Sequence, residues 1–139
     1  MESIITFVAG RSHGNPGLAG VGIYITEGDG RLVHQVKQLI GNAKEDFASY
    51  CAVALALTEL KLVFGDLTRD IHFELRLDNE FVKKHLNYEL VITEPGLVPM
   101  FIEIHNQRVT NFPDITFTLI SPQDNKNADC LAKEAVGGK

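Results

Sequence analysis

The sequence holds little that would mark a protein built to grip a phosphate backbone. Lysine and arginine number 13 against 18 aspartates and glutamates, giving a net charge of −5. No long basic run occurs, and counterion release from a basic face supplies most nonspecific affinity for nucleic acid. Any such face must be local. Cysteine is also scarce: Cys51 and Cys130 are the two in the chain, both inside apolar helical patterns and expected as buried free thiols. They lack the histidine spacing of a zinc site, and a disulfide has no support in a reducing compartment. The apolar stretches are broken by polar residues, so no membrane span is expected. The start, Met1-Glu2-Ser3-Ile4, lacks the basic and apolar regions of a signal peptide, and a cytoplasmic location is expected. Repeats, linkers and low-complexity tracts are missing as well.

What remains reads as one globular domain over residues 1–139. Apolar residues make up 45% and charged residues 22% of the 139, which excludes disorder and allows a single sizeable core. Ser3 to Val8 is a short β-branched run, as expected for a central strand buried on both sides. Gly14-Asn15-Pro16-Gly17 follows as a turn, and Val21 to Ile25 as a second strand. Gly28-Asp29-Gly30 signals a hairpin into a third strand from Arg31 to Ile40. Lys44 to Phe64 is the longest helix, apolar nearly all round and closed by Gly65, so it should pack on several sides. Ile71 to Leu77 is a fourth strand and Asp78 to Leu86 a short helix. Gly96 to Asn111 carries apolar residues at helical spacing, Ile115 to Ile120 is the last strand, and Asn125 to Val136 the last helix. The order predicts an α/β fold, a five-stranded mixed sheet with helices on both faces.

Three motifs in register carry a resemblance across the whole chain. Gly10-Arg11-Ser12-His13-Gly14-Asn15-Pro16-Gly17 resembles the Asp-Gly-x-x-x-Gly-Asn-Pro-Gly opening of ribonuclease HI. Leu75-Arg76-Leu77-Asp78-Asn79-Glu80-Phe81-Val82 matches a strand ending in Asp that turns into a helix. Asn125-Lys126-Asn127-Ala128-Asp129-Cys130-Leu131-Ala132 is similar to the family's closing Asn-x-x-Ala-Asp-x-Leu-Ala helix. The resemblance implies a ribonuclease H-like fold. It also implies hydrolysis of the RNA strand of RNA–DNA hybrids, with two divalent ions, Mg²⁺ or Mn²⁺, held by four carboxylates.

Taken position by position, the resemblance implies an incomplete site. Asp78 and Asp129 stand at two of the ligand positions, as the surviving catalytic and metal candidates. Ala9 stands where the Asp shared by both ions is expected, and Ser49, in Ala48-Ser49-Tyr50-Cys51-Ala52, where a Glu is expected. A methyl group cannot ligate, and a hydroxyl is a weak neutral ligand. Glu45 and Asp46 lie one helical turn earlier, about 5–6 Å away, too far for metal–oxygen bonds near 2 Å unless the helix start moves. Each surviving acid also has a structural reading: Asp78 as N-cap of the short helix, and Asp129 as an acid favoured by the dipole of the last one. With two of four ligands gone, a divalent ion is expected to bind weakly or not at all.

Other departures agree. Lys44-Glu45-Asp46 replaces the Thr-Asn start that contacts hybrid in relatives, and two acids there repel phosphate. Ser121-Pro122-Gln123-Asp124 lacks the histidine that many relatives carry before the last helix. The connection from Asn87 to Pro95 is too short and acidic to be a basic protrusion. Gly14 and Asn15 could offer contacts to a sugar–phosphate, although Asn15 is equally a turn residue before Pro16. His13 is expected to face solvent, and Lys83, Lys84 and His85 to form a solvated basic face. Three functions compete: a pseudoenzyme binding RNA–DNA hybrid weakly, a nuclease with a site rebuilt around Glu45 or Asp46, and a scaffold for a protein partner.

Overall fold

The computed structural model describes residues 3–137. Five strands form one sheet: β1 (Ser3–Gly14), β2 (Gly17–Glu27), β3 (Leu32–Ala43), β4 (His72–Leu77) and β5 (Ile115–Leu119). The helices are α1 (Glu45–Phe64), α2 (Glu80–Leu86), α3 (Val98–Asn111) and α4 (Lys126–Ala135), with short 3-10 turns at Gly65–Arg69, Pro95–Leu97 and Pro122–Asp124. The sheet order is β3-β2-β1-β4-β5. β1 runs antiparallel to β2 and parallel to β4, and β4 runs parallel to β5. The mixed α/β architecture expected from the sequence is the one observed.

The first three strands run longer than their apolar stretches. Pairing of β1 with β2 continues to Gly14↔Gly17, so the polar residues Arg11 to His13 are still strand. A hairpin ladder is satisfied backbone to backbone whatever the side chains, so pairing outlasts the hydrophobic signal. Two register irregularities interrupt β2 against β3, at Ala19/Gly20 and Ile25/Thr26, where a bulge adds twist.

Strand alternation divides the core between two faces. On one face Ile4, Val8, Ile23, Ile25, Phe73 and Leu75 pack with Tyr50, Val53, Leu57 and Leu60 of α1. Each such side chain contributes about 1.5–3 kcal/mol on burial. α3 packs on the outer side of α1 through Ile104, which is why α1 is apolar all round. By length and composition the 25 residues Glu45–Arg69 could cross a membrane, which corrects the expectation that no stretch qualifies. Here the helix is the centre of a folded core, with Ala48, Tyr50, Ala52, Val53, Ala56 and Leu57 fully buried.

On the opposite face α4 lies directly on β1 and β2. Gly22 makes this possible, because a Cβ there would meet the Ala128 carbonyl and the Ala132 amide. Gly10 serves the same purpose toward α1, where a Cβ would meet the backbone of Ala48 and Ser49. The two helices are thereby drawn close to the same stretch of β1, around Ala9 and Gly10, from its opposite faces.

Candidate functional site

Parallel strands place ligand sites beyond their carboxyl ends. β1 and β4 are parallel neighbours, with Phe7↔Arg76 as the last registered pair. Ala9 and Asp78 each lie two residues further along, just beyond the end of the parallel β1–β4 ladder. α4 contributes Asp129 from its first turn, and α1 contributes Ser49. The structure therefore brings all four positions into one region, on the two sides of β1.

The residue that organises the site is one to which the sequence assigned no role. Arg11 follows Ala9 by two positions on β1, so its side chain leaves the same face of the strand. Its Nη2 donates to Asp78 Oδ2 at 2.6 Å and its Nη1 to Asp78 Oδ1 at 3.2 Å, a bidentate fork. Its Nε donates to Asp129 Oδ1 at 2.6 Å, and Nη1 also reaches the Gly10 carbonyl at 3.0 Å. Four oxygen atoms thus surround one guanidinium. The Arg11 side chain is 16% exposed, that of Asp78 5% and that of Asp129 22%.

Two further groups complete the network. Lys133 Nζ lies 3.0 Å from Asp129 Oδ2. The buried Asn125 donates its amide to Asp78 Oδ2 at 2.9 Å and to the Val8 carbonyl at 2.8 Å, while its Oδ1 is buried without a partner among the described residues. Two cations face two anions, so the cluster is formally neutral. Burial alone would lower the Arg11 pKa, but the hydrogen bonds and charges of Asp78 and Asp129 outweigh it and raise it. Burial raises the Asp129 carboxyl, yet hydrogen bonds and charge from Lys133 and Arg11 hold it below the ordinary carboxylate value.

The other two positions carry no charge. Ala9 is 2% exposed and packs with Ala128 and Ala132 of α4. Ser49 is buried, and its Oγ accepts from Asn79 Nδ2 at 3.3 Å. The same Nδ2 donates to Asp46 Oδ1 at 2.8 Å, and Asn79 Oδ1 accepts from the Val82 amide at 3.0 Å.

That last bond corrects the structural reading of Asp78. The N-cap of α2 is Asn79, not Asp78; Asp78 is spent on Arg11 and Asn125. Asp129 does lie in the first turn of α4, as expected. Glu45 Oε1 accepts from the Ser12 amide at 3.4 Å, and Asp46 from Asn79, so neither acid belongs to the Asp78–Asp129 pair. Asn15 Oδ1 accepts from the Glu45 amide at 3.2 Å, tying the hairpin turn to the start of α1. Gly14 takes a φ of +111°, a conformation that favours glycine.

Two other expectations are corrected. His85 is not part of a solvated basic face: it is buried, and its Nδ1 lies 2.6 Å from the Tyr50 hydroxyl. Burial, partly opposed by Asp46, pushes its pKa down, and burial and Asp46 push that of Tyr50 up. Lys83 and Lys84 instead pair with Glu89 and Glu80. Cys130 is exposed rather than buried, whereas Cys51 is half-buried. α4 turns Ala128 and Ala132 to the sheet, which leaves the intervening Cys130 outward.

A two-ion clamp needs several hard oxygen ligands at fixed positions. The residues present do not fit one. Ala9 offers no donor atom, the Ser49 hydroxyl is engaged by Asn79, and both remaining acids are engaged by Arg11. Among the described residues no group of three or more His, Cys, Asp or Glu side chains comes together as a metal cluster.

Comparison with known proteins places this geometry in a family. Residues 7–135 match the family model described as reverse transcriptase-like. A ribonuclease HI of Halobacterium salinarum is 36% identical over 127 residues, covering 91% of this chain and 61% of that protein. The chain therefore spans about three-fifths of the length of that relative. Among solved structures, LC11-RNase H1 in complex with RNA/DNA hybrid superposes with a TM-score of 0.93 at 32% identity, covering 96% of each chain. RNase H1 from Halobacterium salinarum superposes with a TM-score of 0.86 at 33% identity, covering 97% of this chain and 98% of that one.

Proposed function

The chain belongs to the ribonuclease H-like family, and on that premise we propose that it is a member lacking efficient cleavage of RNA–DNA hybrids. In this reading it works as a weak nucleic-acid-binding or interaction module. One observation carries the reading: Ala9 and Ser49 occupy two of the four ligand positions, and the acids at the other two are bridged by Arg11 and, with Lys133, neutralised from within the chain. Magnesium holds its oxygen ligands in near-octahedral geometry at about 2.0–2.1 Å and dehydrates reluctantly. A bidentate guanidinium on one acid and a charge-assisted bond on the other leave it little to recruit.

Affinity for hybrid is expected to be low for the same electrostatic reason. Lys37, Lys83 and Lys84 each have an acid within 3.1 Å. A phosphate backbone would have to compete with those carboxylates as well as with the net charge of −5. A relative was solved with RNA/DNA hybrid bound, which supports hybrid as the nucleic acid to test first.

A second reading, metal-dependent hybrid cleavage through a rebuilt site, draws on the names of the relatives. Its best ligands are Glu45 and Asp46, since Asp46 reaches Asn79 and, through it, Ser49. One experiment separates the two: cleavage of labelled RNA–DNA hybrid in Mg²⁺ and in Mn²⁺ by the wild type, Asp46→Asn, Asp78→Asn and Ala9→Asp/Ser49→Glu/Arg11→Ala. No cleavage by wild type and a gain in the triple variant support the first reading. Wild-type cleavage lost in Asp46→Asn or Asp78→Asn establishes the second.

A further inference from the structure

We infer that Arg11 is a tethered counter-cation that takes the place of a divalent ion at the Asp78–Asp129 pair and excludes such ions from it. The inference rests on the reading above that the carboxylate site is incomplete, and adds what fills it. Three features of the guanidinium carry it.

The first is the ligand set. Asp78 Oδ1, Asp78 Oδ2, Asp129 Oδ1 and the Gly10 carbonyl all lie within 3.2 Å of guanidinium nitrogens. Hard oxygen atoms of this kind, two carboxylates and a backbone carbonyl, are those that a divalent ion would recruit. The second is attachment. Arg11 is fixed in β1, whose pairing continues past it to Gly14↔Gly17. The cation is therefore held at the carboxylates intramolecularly, and it cannot diffuse away. The third is charge. Arg11 and Lys133 balance Asp78 and Asp129, so an arriving ion meets a neutral cluster rather than two free anions.

Exclusion of the ion is a property of one side chain, so removing that side chain should open the site. Mn²⁺ serves as the probe, followed by the EPR signal of the free ion and by thermal unfolding with and without Mn²⁺. The wild type is expected to take up no ion at millimolar Mn²⁺ and to keep its Tm. Arg11→Ala is expected to take up one ion per chain. Its Tm should rise by about 4 °C when Mn²⁺ stands tenfold above its Kd. Arg11→Gln keeps the bulk and a donor but no charge, and gives the same reading if the alanine variant does not fold. Arg11→Ala/Asp78→Asn should lose the uptake.

The inference is overturned if the wild type takes up Mn²⁺ as tightly as the Arg11 variants. It is equally overturned if the folded variants take up none, or if uptake survives Asp78→Asn. These readouts involve no cleavage. Ion-free Arg11 variants beside an inactive wild type would sink this inference alone, whereas an active wild type would sink the functional reading.

Discussion

Replacing Arg11 by alanine should be among the more costly substitutions this chain can suffer at a position outside the apolar core. The change removes both halves of the fork on Asp78, the 2.6 Å bond to Asp129 and the bond to the Gly10 carbonyl. Asp129 is 22% exposed and keeps Lys133, so its loss is softened by water and by its second partner. Asp78 is 5% exposed and keeps the Asn125 amide alone. Breaking a buried pair by deleting one partner costs about 3–5 kcal/mol because a charge is left uncompensated. The remaining amide bond and the partial exposure of Arg11 lower this to about 3 kcal/mol, or a fall in Tm of about 10 °C. Urea unfolding followed by circular dichroism gives the free energy, with an unchanged m-value as the check that the same structure unfolds.

A double-mutant cycle then tests the cause. Asp78→Asn alone should also destabilise, but in the Arg11→Ala background the same change should cost about 2 kcal/mol less, because the stranded charge is gone. Equal costs in the two backgrounds would refute the reasoning, as would an Arg11→Ala variant within about 0.5 kcal/mol of wild type. The acid limb gives a further sign. Asp129 has a folded pKa below its unfolded value. Its contribution is therefore present above the unfolded value near 3.9 and is lost as pH falls through the folded one. Without Arg11 the folded carboxyl titrates higher, and the fall in stability below about pH 4 should flatten.

Three smaller tests address other parts of the fold. Tyr50→Phe leaves the buried His85 Nδ1 without its partner and should cost about 1–3 kcal/mol by urea unfolding. Because burial lowers the His85 pKa, the protein should lose stability as pH falls from about 6.5 toward the folded value, a slope that His85→Gln should reduce. Gly22→Ala should destabilise by about 1–3 kcal/mol or more, since its Cβ would strike the α4 backbone at Ala128. In the native protein a thiol reagent should modify the exposed Cys130 quickly. The half-buried Cys51, whose thiol burial pushes up, should react slowly until denaturant is added.

The sequence by itself determined the element order, the mixed sheet and the family, because each rests on local signals: the β-branched run of β1, the all-round apolar pattern of α1, and three motifs of eight residues each. It also determined that positions 9 and 49 hold alanine and serine, since register within a motif needs no structure. Which groups the acids at 78 and 129 meet was decided by the tertiary structure. Arg11 is 67 residues from Asp78 and 118 from Asp129, and no periodicity along the chain encodes a contact of that separation. A signal was present in principle, for strand alternation puts Arg11 on the face of Ala9. Its reach to both acids depends on how closely α4 lies on β1 and β2, and thus on the glycine at 22. His85 reads as one of three basic residues in a row until α2 is packed against α1 and turns it toward Tyr50. Local sequence sets which side chains are available; packing sets which of them meet, and here it brings a cation into the middle of the acids.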